Sequence, residues 1–240
     1  MLINTLALLA GFVFLVFSAD FFVKGSSAIA KNFGVSPLII GLTIVGLGTS
    51  APEILVAAIA SMQGNTGLAM GNAVGSNIAN IGLVLGATAL IAPISIHSSL
   101  LKRELPILLA ISITSYLLVI DGTLSRTDGL LLVTGLGLFL YWLARSAKLS
   151  KQTNKDPLAL EFGAEIPSDL SNRNAFLFSL CGLIGLIASS KLLVWAAVNI
   201  ALHFGVSDLV IGLTIIAIGT SLPELAASIA SVLKKEPDLA

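Results

Sequence analysis

The sequence predicts an all-α polytopic membrane protein, and two properties of its composition lead to that prediction. Of the 240 residues, 56% are hydrophobic and only 11% are charged, whereas a soluble domain normally carries about a quarter charged residues. The apolar runs are also long enough for helices that cross a bilayer, which need roughly 20 residues each. So few charges cannot cover a water-exposed surface, and they form no basic patch suited to nucleic acid. The expected partner is the lipid bilayer, with no nucleic acid.

Seven apolar stretches are predicted as transmembrane helices. In chain order they are Leu2–Ala30, Pro37–Ser61, Leu68–Ile91, Leu105–Ile120, Gly129–Ala144, Ala175–Leu202 and Leu209–Leu233. The first has no positively charged region in front of it, so we interpret it as a membrane helix and not as a cleaved signal peptide. The predicted organisation is a five-helix first half (1–146), a polar linker (147–173) and a partial second half (174–240).

The positive charges predict which side of the membrane each loop faces. Ten of the 13 Lys and Arg residues lie in one set of alternate loops, and the other set contains Arg126 alone. Because cytoplasmic loops carry the excess of Lys and Arg, the linker is predicted to be cytoplasmic and the N-terminus to lie outside.

The strongest signal is an internal repeat. The segment FGVSPLIIGLTIVGLGTSAPE at 33–53 matches FGVSDLVIGLTIIAIGTSLPE at 204–224, with a constant offset of 171 positions. Five predicted spans separate the two starts, so the second copy enters the membrane from the opposite side. This is an inverted-topology repeat, an architecture of many secondary transporters, whose ion sites lie near the bilayer midplane between the repeats.

The same offset predicts that the second repeat is incomplete. Residues 68 and 69 correspond to 239 and 240, and the stretch MGNAVGSNIANIGLVLGA at 70–87 has no counterpart in the chain. Symmetry therefore predicts three further spans, so that about seven of ten helices are present. We expect a fragment of a longer protein; the alternative is a chain that works without half of its second repeat.

Each copy of the repeat ends in a motif, GTSAPE or GTSLPE, that concentrates oxygen atoms. Pro52 lacks an N–H and clashes with the carbonyl of Gly48, so the helix is predicted to kink there and to free backbone carbonyls. Glu53 follows Thr49 and Ser50 by about one turn and lies on roughly their face. An unpaired carboxylate within the membrane is costly and indicates an ion pathway.

The second motif offers the same groups in Thr220, Ser221 and Glu224. Taken alone, a Ser or Thr in a membrane helix is more often a packing residue than a ligand. Duplication with opposite topology favours function, because two glutamates supply about two negative charges, enough for one Ca²⁺ or a pair of Na⁺. The oxygens of both motifs therefore predict one cation site at the midplane.

The third predicted span adds further oxygen donors in GNAVGSNIANIG at 71–82. Ser76 and Asn80 are one helical turn apart and can share a face, and Asn72 and Asn77 flank them. The glycines at 71 and 75 form a G-x-x-x-G pair that would let a neighbouring helix approach closely, although this short pattern is weak by itself.

Two charges inside predicted spans, Asp20 and Lys191, are equivalent in the repeat. One interpretation is an ion pair across the pseudo-two-fold axis. The other is that each side chain extends separately toward a membrane interface. The sequence does not choose between them.

The motifs GTSAPE, GNAVGSNIAN and GTSLPE resemble the repeats of the calcium/cation antiporter superfamily, and most closely its bacterial inner-membrane sodium/calcium exchanger branch. The resemblance covers nearly the whole chain. It implies the sodium/calcium exchanger fold, with ten spans in two halves of five, and a location in the inner (plasma) membrane. It also implies that backbone carbonyls at Gly46 and Ala217 and a set of side chains bind the cations. Those side chains belong to Thr49, Ser50, Glu53, Ser76, Asn80, Thr220, Ser221 and Glu224.

The resemblance implies a secondary active antiporter that exchanges Ca²⁺ for Na⁺ and serves calcium homeostasis. A Ca²⁺/H⁺ antiporter on the same scaffold and a non-transporting fragment are the alternatives. A hydrolase using Ser50 or Ser221 would lack a nearby histidine base, and the sequence contains no HExxH zinc motif. We therefore expect no enzyme activity, no cofactor and no protein partner; the expected ligands are Ca²⁺, Na⁺ and, in the alternative, H⁺. Because protons compete for the shared carboxylates, we expect acid to inhibit transport.

Overall fold

The computed structural model describes residues 1–36, 39–94, 105–150 and 170–233, and every regular element within these ranges is a helix. The predicted all-α fold is confirmed for this part of the chain. Pro37, linker residues 151–169 and the residues after Leu233 lie outside the described residues. The chain divides into two compact units, one formed by Met1–Pro93 with Lys155–Ala240 and the other by Ile94–Asn154.

The helices of the described residues differ widely in length. In chain order they are α1 (Leu2–Asn32), α2 (Gly46–Thr49), α3 (Ala51–Met62), α4 (Thr66–Ala79), α5 (Gly86–Ile91), α6 (Leu105–Val119), α7 (Arg126–Ser150), α8 (Asn172–Phe204), α9 (Asp208–Ile211), α10 (Ala217–Thr220) and α11 (Leu222–Leu233). Wider, π-helical turns join some of them, at Ile40–Val45, Asn80–Leu85 and Gly212–Ile216. The second unit contains α6 and α7, and the first unit contains the others.

Most of the predicted spans have a counterpart of sufficient length. Among the described residues, five helices are long and apolar enough to cross a membrane: Leu2–Asn32, Thr66–Ile91, Arg126–Arg145, Asn172–Phe204 and Asp208–Ile229. The bent pair Thr43–Thr49 and Ala51–Met62 makes a sixth if it is counted as one span. The predicted span Leu105–Ile120 corresponds to α6, an apolar helix of 15 residues. At 1.5 Å per residue this helix is about 22 Å long, shorter than the roughly 30 Å of a hydrocarbon core.

The two long helices of the first unit, α1 and α8, pack against each other as inverted copies. Gly11 of α1 lies against Leu193 of α8, and Gly182 of α8 lies against Phe22 of α1. The repeat offset of 171 converts one contact into the other, because Gly11 is equivalent to Gly182 and Phe22 to Leu193. Helices related in this way run antiparallel around a pseudo-two-fold axis, which is the inverted topology that the repeat predicts.

Small residues bring α1 and α8 into backbone contact. A Cβ atom on Gly25 would lie 2.6 Å from the Ala175 carbonyl oxygen and 2.8 Å from the Ser179 Cα, so only glycine fits there. Beside this contact, the Ser26 and Ser179 hydroxyls share a hydrogen bond of 2.9 Å. In lipid, close backbone packing and hydrogen bonds between helices replace the hydrophobic driving force. The contact therefore stabilises the pair of long helices along its length.

Both motif helices break at the serine of the GTS sequence. Ser50 has φ −81° and ψ 2°, and Ser221 has φ −83° and ψ 5°, so neither continues a regular helix. The first break bends the chain by 51° between Thr43–Thr49 and Ala51–Met62. The buried Pro52 lies in the first turn of α3, where its missing N–H leaves no hydrogen bond unmade. The predicted kink is present.

Helix α4 lies directly on the motif helix of the second repeat. It packs against α9, the π-helical turn Gly212–Ile216 and α10. A Cβ on Gly71 would lie 2.8 Å from Leu213 N and 2.9 Å from Gly212 Cα, and one on Gly75 would lie 2.7 Å from Ala217 Cβ. The close approach predicted from the G-x-x-x-G pair is therefore present, and it joins the first repeat to the second.

The second unit begins its longer helix with a reciprocal cap. The Ser125 backbone N–H donates to Asp128 Oδ2 at 2.7 Å, and the Asp128 N–H donates back to Ser125 Oγ at 3.2 Å. This arrangement resembles a capping box and satisfies backbone donors at the start of α7. Just before it, Gly122 has φ 80°, a left-handed conformation that favours glycine, and allows the turn after α6.

Of the two interpretations of Asp20 and Lys191, the structure does not support the ion pair between them. Asp20 Oδ2 instead accepts from Lys24 Nζ at 2.7 Å, one turn further along α1. The two side chains are about half exposed, at 47% and 49%. An i,i+4 pair of this kind forms within one helix and needs no contact between helices. Lys191 is itself exposed on α8, which agrees with the second interpretation.

Candidate cation-binding site

Glu53 and Glu224 lie in the first turns of the helices that follow the two breaks, α3 and α11. Their four carboxylate oxygens are buried and have no hydrogen-bond partner among the described residues. The charge of Glu53 acts on Glu224, so the two carboxylates are within electrostatic reach of each other. Buried charges without partners are too costly to stay uncompensated. The pair is therefore suited to hold a cation or protons between the two repeats.

Hydroxyl groups of the second motif face the carboxylate of the first. The Thr220 and Ser221 hydroxyls approach Glu53 closely enough to interact with its charge, although no hydrogen bond of ordinary geometry joins them. Thr220 is 0% and Ser221 1% exposed, and the Ser221 hydroxyl has no hydrogen-bond partner in the part of the chain that the structure describes. The structure thus brings together two carboxylates and two hydroxyls from opposite repeats.

The equivalent hydroxyls of the first motif are less buried. Thr49 and Ser50 are half-buried, and the Thr49 hydroxyl donates to the Gly46 carbonyl at 3.2 Å. Thr220 makes the matching bond to the Ala217 carbonyl, also at 3.2 Å. The local geometry of the two motifs is therefore the same. Among the described residues, α4 packs against the helix of the second motif.

The predicted ligands of the third span, Ser76 and Asn80, have different surroundings. Ser76 is 5% exposed, and its hydroxyl donates to the Ala73 carbonyl of its own helix at 3.3 Å. Asn80 begins the π-helical turn that packs against α11, the helix carrying Glu224. Its Oδ1 is buried and has no partner among the described residues, so it remains free for a cation. π-helical turns often occur at functional sites.

The site contains few formal charges. Within the described residues, no three His, Cys, Asp or Glu side chains lie together as a possible metal-binding group. A cation bound here would therefore be balanced by Glu53 and Glu224 and would take its other ligands from neutral hydroxyl, amide and carbonyl oxygens. Such an all-oxygen set suits Na⁺ and Ca²⁺ better than transition metals.

Asn72 belongs to this site, although the sequence interpretation gives it only a flanking position. It is fully buried, its Nδ2 donates to the Glu53 backbone carbonyl at 3.0 Å, and its Oδ1 accepts from Thr220 Oγ1 at 3.3 Å. It lies four residues before Ser76, on the same face of α4. That spacing, in a helix where a buried amide is costly, is the signal that could have identified it.

The chain is similar over most of its length to one family and its members. The family described as "sodium/calcium exchanger protein" matches residues 3–145 and 174–240. The chain is 52% identical to CaxA of Alkalimonas amylolytica over 240 residues, all of this chain and 75% of that protein. It is 43% identical to the inner membrane protein YrbG of Escherichia coli (strain K12), again over all of this chain and 74% of the relative. It also resembles the solved structure of the sodium-calcium exchanger NCX_Mj, with 38% identity, a TM-score of 0.60 and coverage of 100% of this chain and 75% of that one.

Proposed function

Because the chain belongs to the sodium/calcium exchanger family of membrane transporters, we propose that it is a secondary active antiporter that exchanges Ca²⁺ for Na⁺. The observation that carries the proposal is the pair of buried carboxylates, Glu53 and Glu224, without hydrogen-bond partners among the described residues. Each comes from one inverted repeat, which is where transporters of this architecture bind their ions. NCX_Mj, which this chain resembles, is itself described as a sodium-calcium exchanger.

In this proposal both ions compete for one set of oxygens. The two carboxylates balance one Ca²⁺ or about two Na⁺, and neutral groups complete the six to eight ligands that Ca²⁺ takes. Competition for the shared carboxylates couples the transport of the two ions, because the site must release Ca²⁺ before it binds Na⁺ and the reverse. The proposed ligands are the side chains of Thr49, Ser50, Glu53, Ser76, Asn80, Thr220, Ser221 and Glu224.

The long helices α1 and α8 are proposed to open the site to each side in turn. Support comes from their inverted, antiparallel packing, which relates the two helices by the pseudo-two-fold axis. Helix α1 also contacts both breaks, because Val23 lies against Gly48 and Phe12 lies against Gly219. A displacement of α1 would therefore act on both halves of the site.

We propose that the protein lies in the inner (plasma) membrane with its N-terminus outside and its linker in the cytoplasm. The excess of Lys and Arg in the loops on the linker side supports this orientation. The similar protein YrbG is described as an inner membrane protein.

The direct test is Ca²⁺ uptake by proteoliposomes that contain the purified protein. Uptake into Na⁺-loaded vesicles is compared with uptake into choline-loaded vesicles at equal pH, and then with uptake driven by a pH gradient without Na⁺. Glu53→Gln removes one site charge, and Asp20→Asn is the control, because Asp20 is about half exposed and pairs with Lys24.

Uptake that requires internal Na⁺, is lost in Glu53→Gln and persists in Asp20→Asn is the expected result. Uptake driven by the pH gradient alone would mean that the counter-ion is H⁺ and not Na⁺. Absence of Ca²⁺ uptake under both gradients would contradict the proposed function.

A further inference from the structure

Asn72 connects the two repeats at one fully buried point. Its Nδ2 donates a hydrogen bond of 3.0 Å to the backbone carbonyl of Glu53. Its Oδ1 accepts a hydrogen bond of 3.3 Å from the Thr220 hydroxyl. The carbonyl of Glu53 can only accept a hydrogen bond, so the amide nitrogen must face it. The amide oxygen must then face Thr220. The orientation of the Asn72 side chain is therefore fixed by its partners.

The side-chain amides of Asn72 and Asn80 differ in whether their oxygen atoms have a hydrogen-bond partner. Both ends of the Asn72 amide are engaged by protein groups, whereas Asn80 Oδ1 is buried and without a partner among the described residues. Asn80 can therefore offer its oxygen to a cation. Asn72 can act on a cation only through the groups that it holds.

The group that Asn72 controls is the hydroxyl of Thr220. A threonine hydroxyl has one proton and two lone pairs, and it binds a cation only through a lone pair. Its proton must therefore point away from the cation, toward an acceptor. Besides the Glu53 carboxylate, which would itself bind the cation, Thr220 has two such acceptors within reach, the Ala217 carbonyl at 3.2 Å and Asn72 Oδ1 at 3.3 Å. Both oxygens can only accept a hydrogen bond, so each of them interacts with the Thr220 proton. The lone pairs of the Thr220 hydroxyl then remain free for a cation.

We propose that Asn72 is a positioning residue for the cation site: by accepting the Thr220 proton it turns the lone pairs of Thr220 toward the cation, and by donating to the Glu53 carbonyl it keeps the first motif in register with the second. This inference rests on the proposed function, because it concerns the ion bound between Glu53 and Glu224. It assigns a role to a side chain that does not touch the ion.

The first experiment replaces Asn72 and measures Ca²⁺ uptake by Na⁺-loaded proteoliposomes over a range of Ca²⁺ concentrations. Asn72→Leu keeps the branching of the side chain and removes both hydrogen bonds. Asn72→Ala removes them without any added bulk and is used if the leucine variant does not fold. The matched control is Asn77→Leu, because Asn77 is exposed on the same helix and donates only to the Ala73 carbonyl one turn away.

Asn72→Leu is expected to raise the Ca²⁺ concentration for half-maximal uptake roughly 5- to 100-fold, as leaving a buried partner unsatisfied does. The control should leave this concentration unchanged. A purely structural role would reduce the amount of active protein and hence the maximal rate, without changing the half-maximal concentration. That pattern, or equal effects at positions 72 and 77, would overturn the inference.

A second experiment tests whether Asn72 acts through Thr220. Thr220→Val removes the hydroxyl but leaves the bond from Asn72 to the Glu53 carbonyl, so the further change Asn72→Ala should then have a smaller effect on the half-maximal Ca²⁺ concentration than it has alone. Equal effects in both backgrounds would mean that Asn72 does not act through Thr220, and would overturn the inference.

Binding is measured separately so that the two proposals can fail independently. The rise in unfolding temperature that Ca²⁺ produces in the purified protein reports affinity without transport. If the wild type binds Ca²⁺ but shows no Na⁺-driven uptake, the proposed function is wrong, and the binding series decides the role of Asn72. If it neither binds nor transports Ca²⁺, both proposals are wrong.

Discussion

The contact between α4 and the second repeat can be tested by adding one methyl group. In Gly71→Ala the new Cβ would lie 2.8 Å from Leu213 N and 2.9 Å from Gly212 Cα, and closer still to the Leu209 carbonyl oxygen. Comfortable contacts between carbon atoms are about 3.5–4.0 Å, so the helices must separate by roughly 0.6 Å or more. The atoms that the methyl meets belong to the backbone and cannot turn aside as a side chain can.

Overpacking of this kind typically costs about 1–3 kcal/mol. In a protein of this size each kcal/mol lowers the unfolding temperature by roughly 2–4 °C, so Gly71→Ala should lower it by roughly 2–12 °C. The separation would also move Thr220 away from Glu53, so the Ca²⁺ concentration for half-maximal uptake should rise. Thermal unfolding in detergent and proteoliposome uptake measure the two effects.

Gly86→Ala is the matched control, because a Cβ at Gly86 would meet nothing within 4 Å. It lies in a helix, so alanine there should be neutral or slightly stabilising. If Gly71→Ala lowers the unfolding temperature no more than Gly86→Ala does, the backbones are not in contact at Gly71, and the reasoning is refuted.

Three further outcomes are expected. Ca²⁺ uptake should fall as the pH is lowered from about 8 to about 6, because protons compete with cations for the carboxylates of the two motifs; an uptake rate that does not change over this range would count against shared carboxylate ligands. Gly219→Ala should reduce uptake because its Cβ would collide with the ring of Phe12, and adding Phe12→Ala should restore part of the lost uptake. If uptake does not recover, the collision with Phe12 is not the cause of the loss. Asp20→Asn should hardly change the unfolding temperature, because its partner Lys24 is one turn away on an exposed face and such pairs contribute about 0.3–0.5 kcal/mol; a large loss would mean that Asp20 has a second, buried role.

The features that depend on short stretches of sequence could be predicted. Apolar runs indicate the spans because a bilayer fixes the length that a helix needs. The break before Pro52 follows from a clash within one turn, and the inverted relation of the repeats follows from the number of spans between them. Each of these conclusions needs no knowledge of how helices pack.

The register of α1 along α8 could not be predicted, and it explains why Asp20 does not pair with Lys191. Contacting residues on these helices have numbers that add up to 204, as for Gly11 with Leu193 and Phe22 with Gly182. Equivalent residues are 171 apart, so they face each other only near positions 16 and 187. Asp20 is about one turn from that point, so equivalence in the repeat does not bring it to Lys191.

The role of Asn72 also depends on helix packing that the sequence does not specify. Its partners are the Glu53 carbonyl and the Thr220 hydroxyl, which lie in different repeats. They meet only because glycines allow α4 to lie directly on the second motif helix. The register of that contact depends on three-dimensional packing, which a single sequence does not specify.

The hydrogen bond between Thr220 and Asn72 should make Thr220 more sensitive to substitution than Thr49, its equivalent in the first motif, and a matched pair of substitutions tests this. Thr49→Ala removes a hydroxyl that donates to the Gly46 carbonyl, three residues earlier in its own helix. Thr220→Ala removes the equivalent hydroxyl from a residue that is 0% exposed, and it also takes away the donor that pairs with Asn72 Oδ1. Losing the partner of a buried acceptor costs about 1–3 kcal/mol, a cost that Thr49→Ala does not incur. We therefore expect Thr220→Ala to raise the half-maximal Ca²⁺ concentration more than Thr49→Ala does. Equal effects would mean that the hydrogen bond between Thr220 and Asn72 contributes nothing to cation binding, and would contradict this prediction.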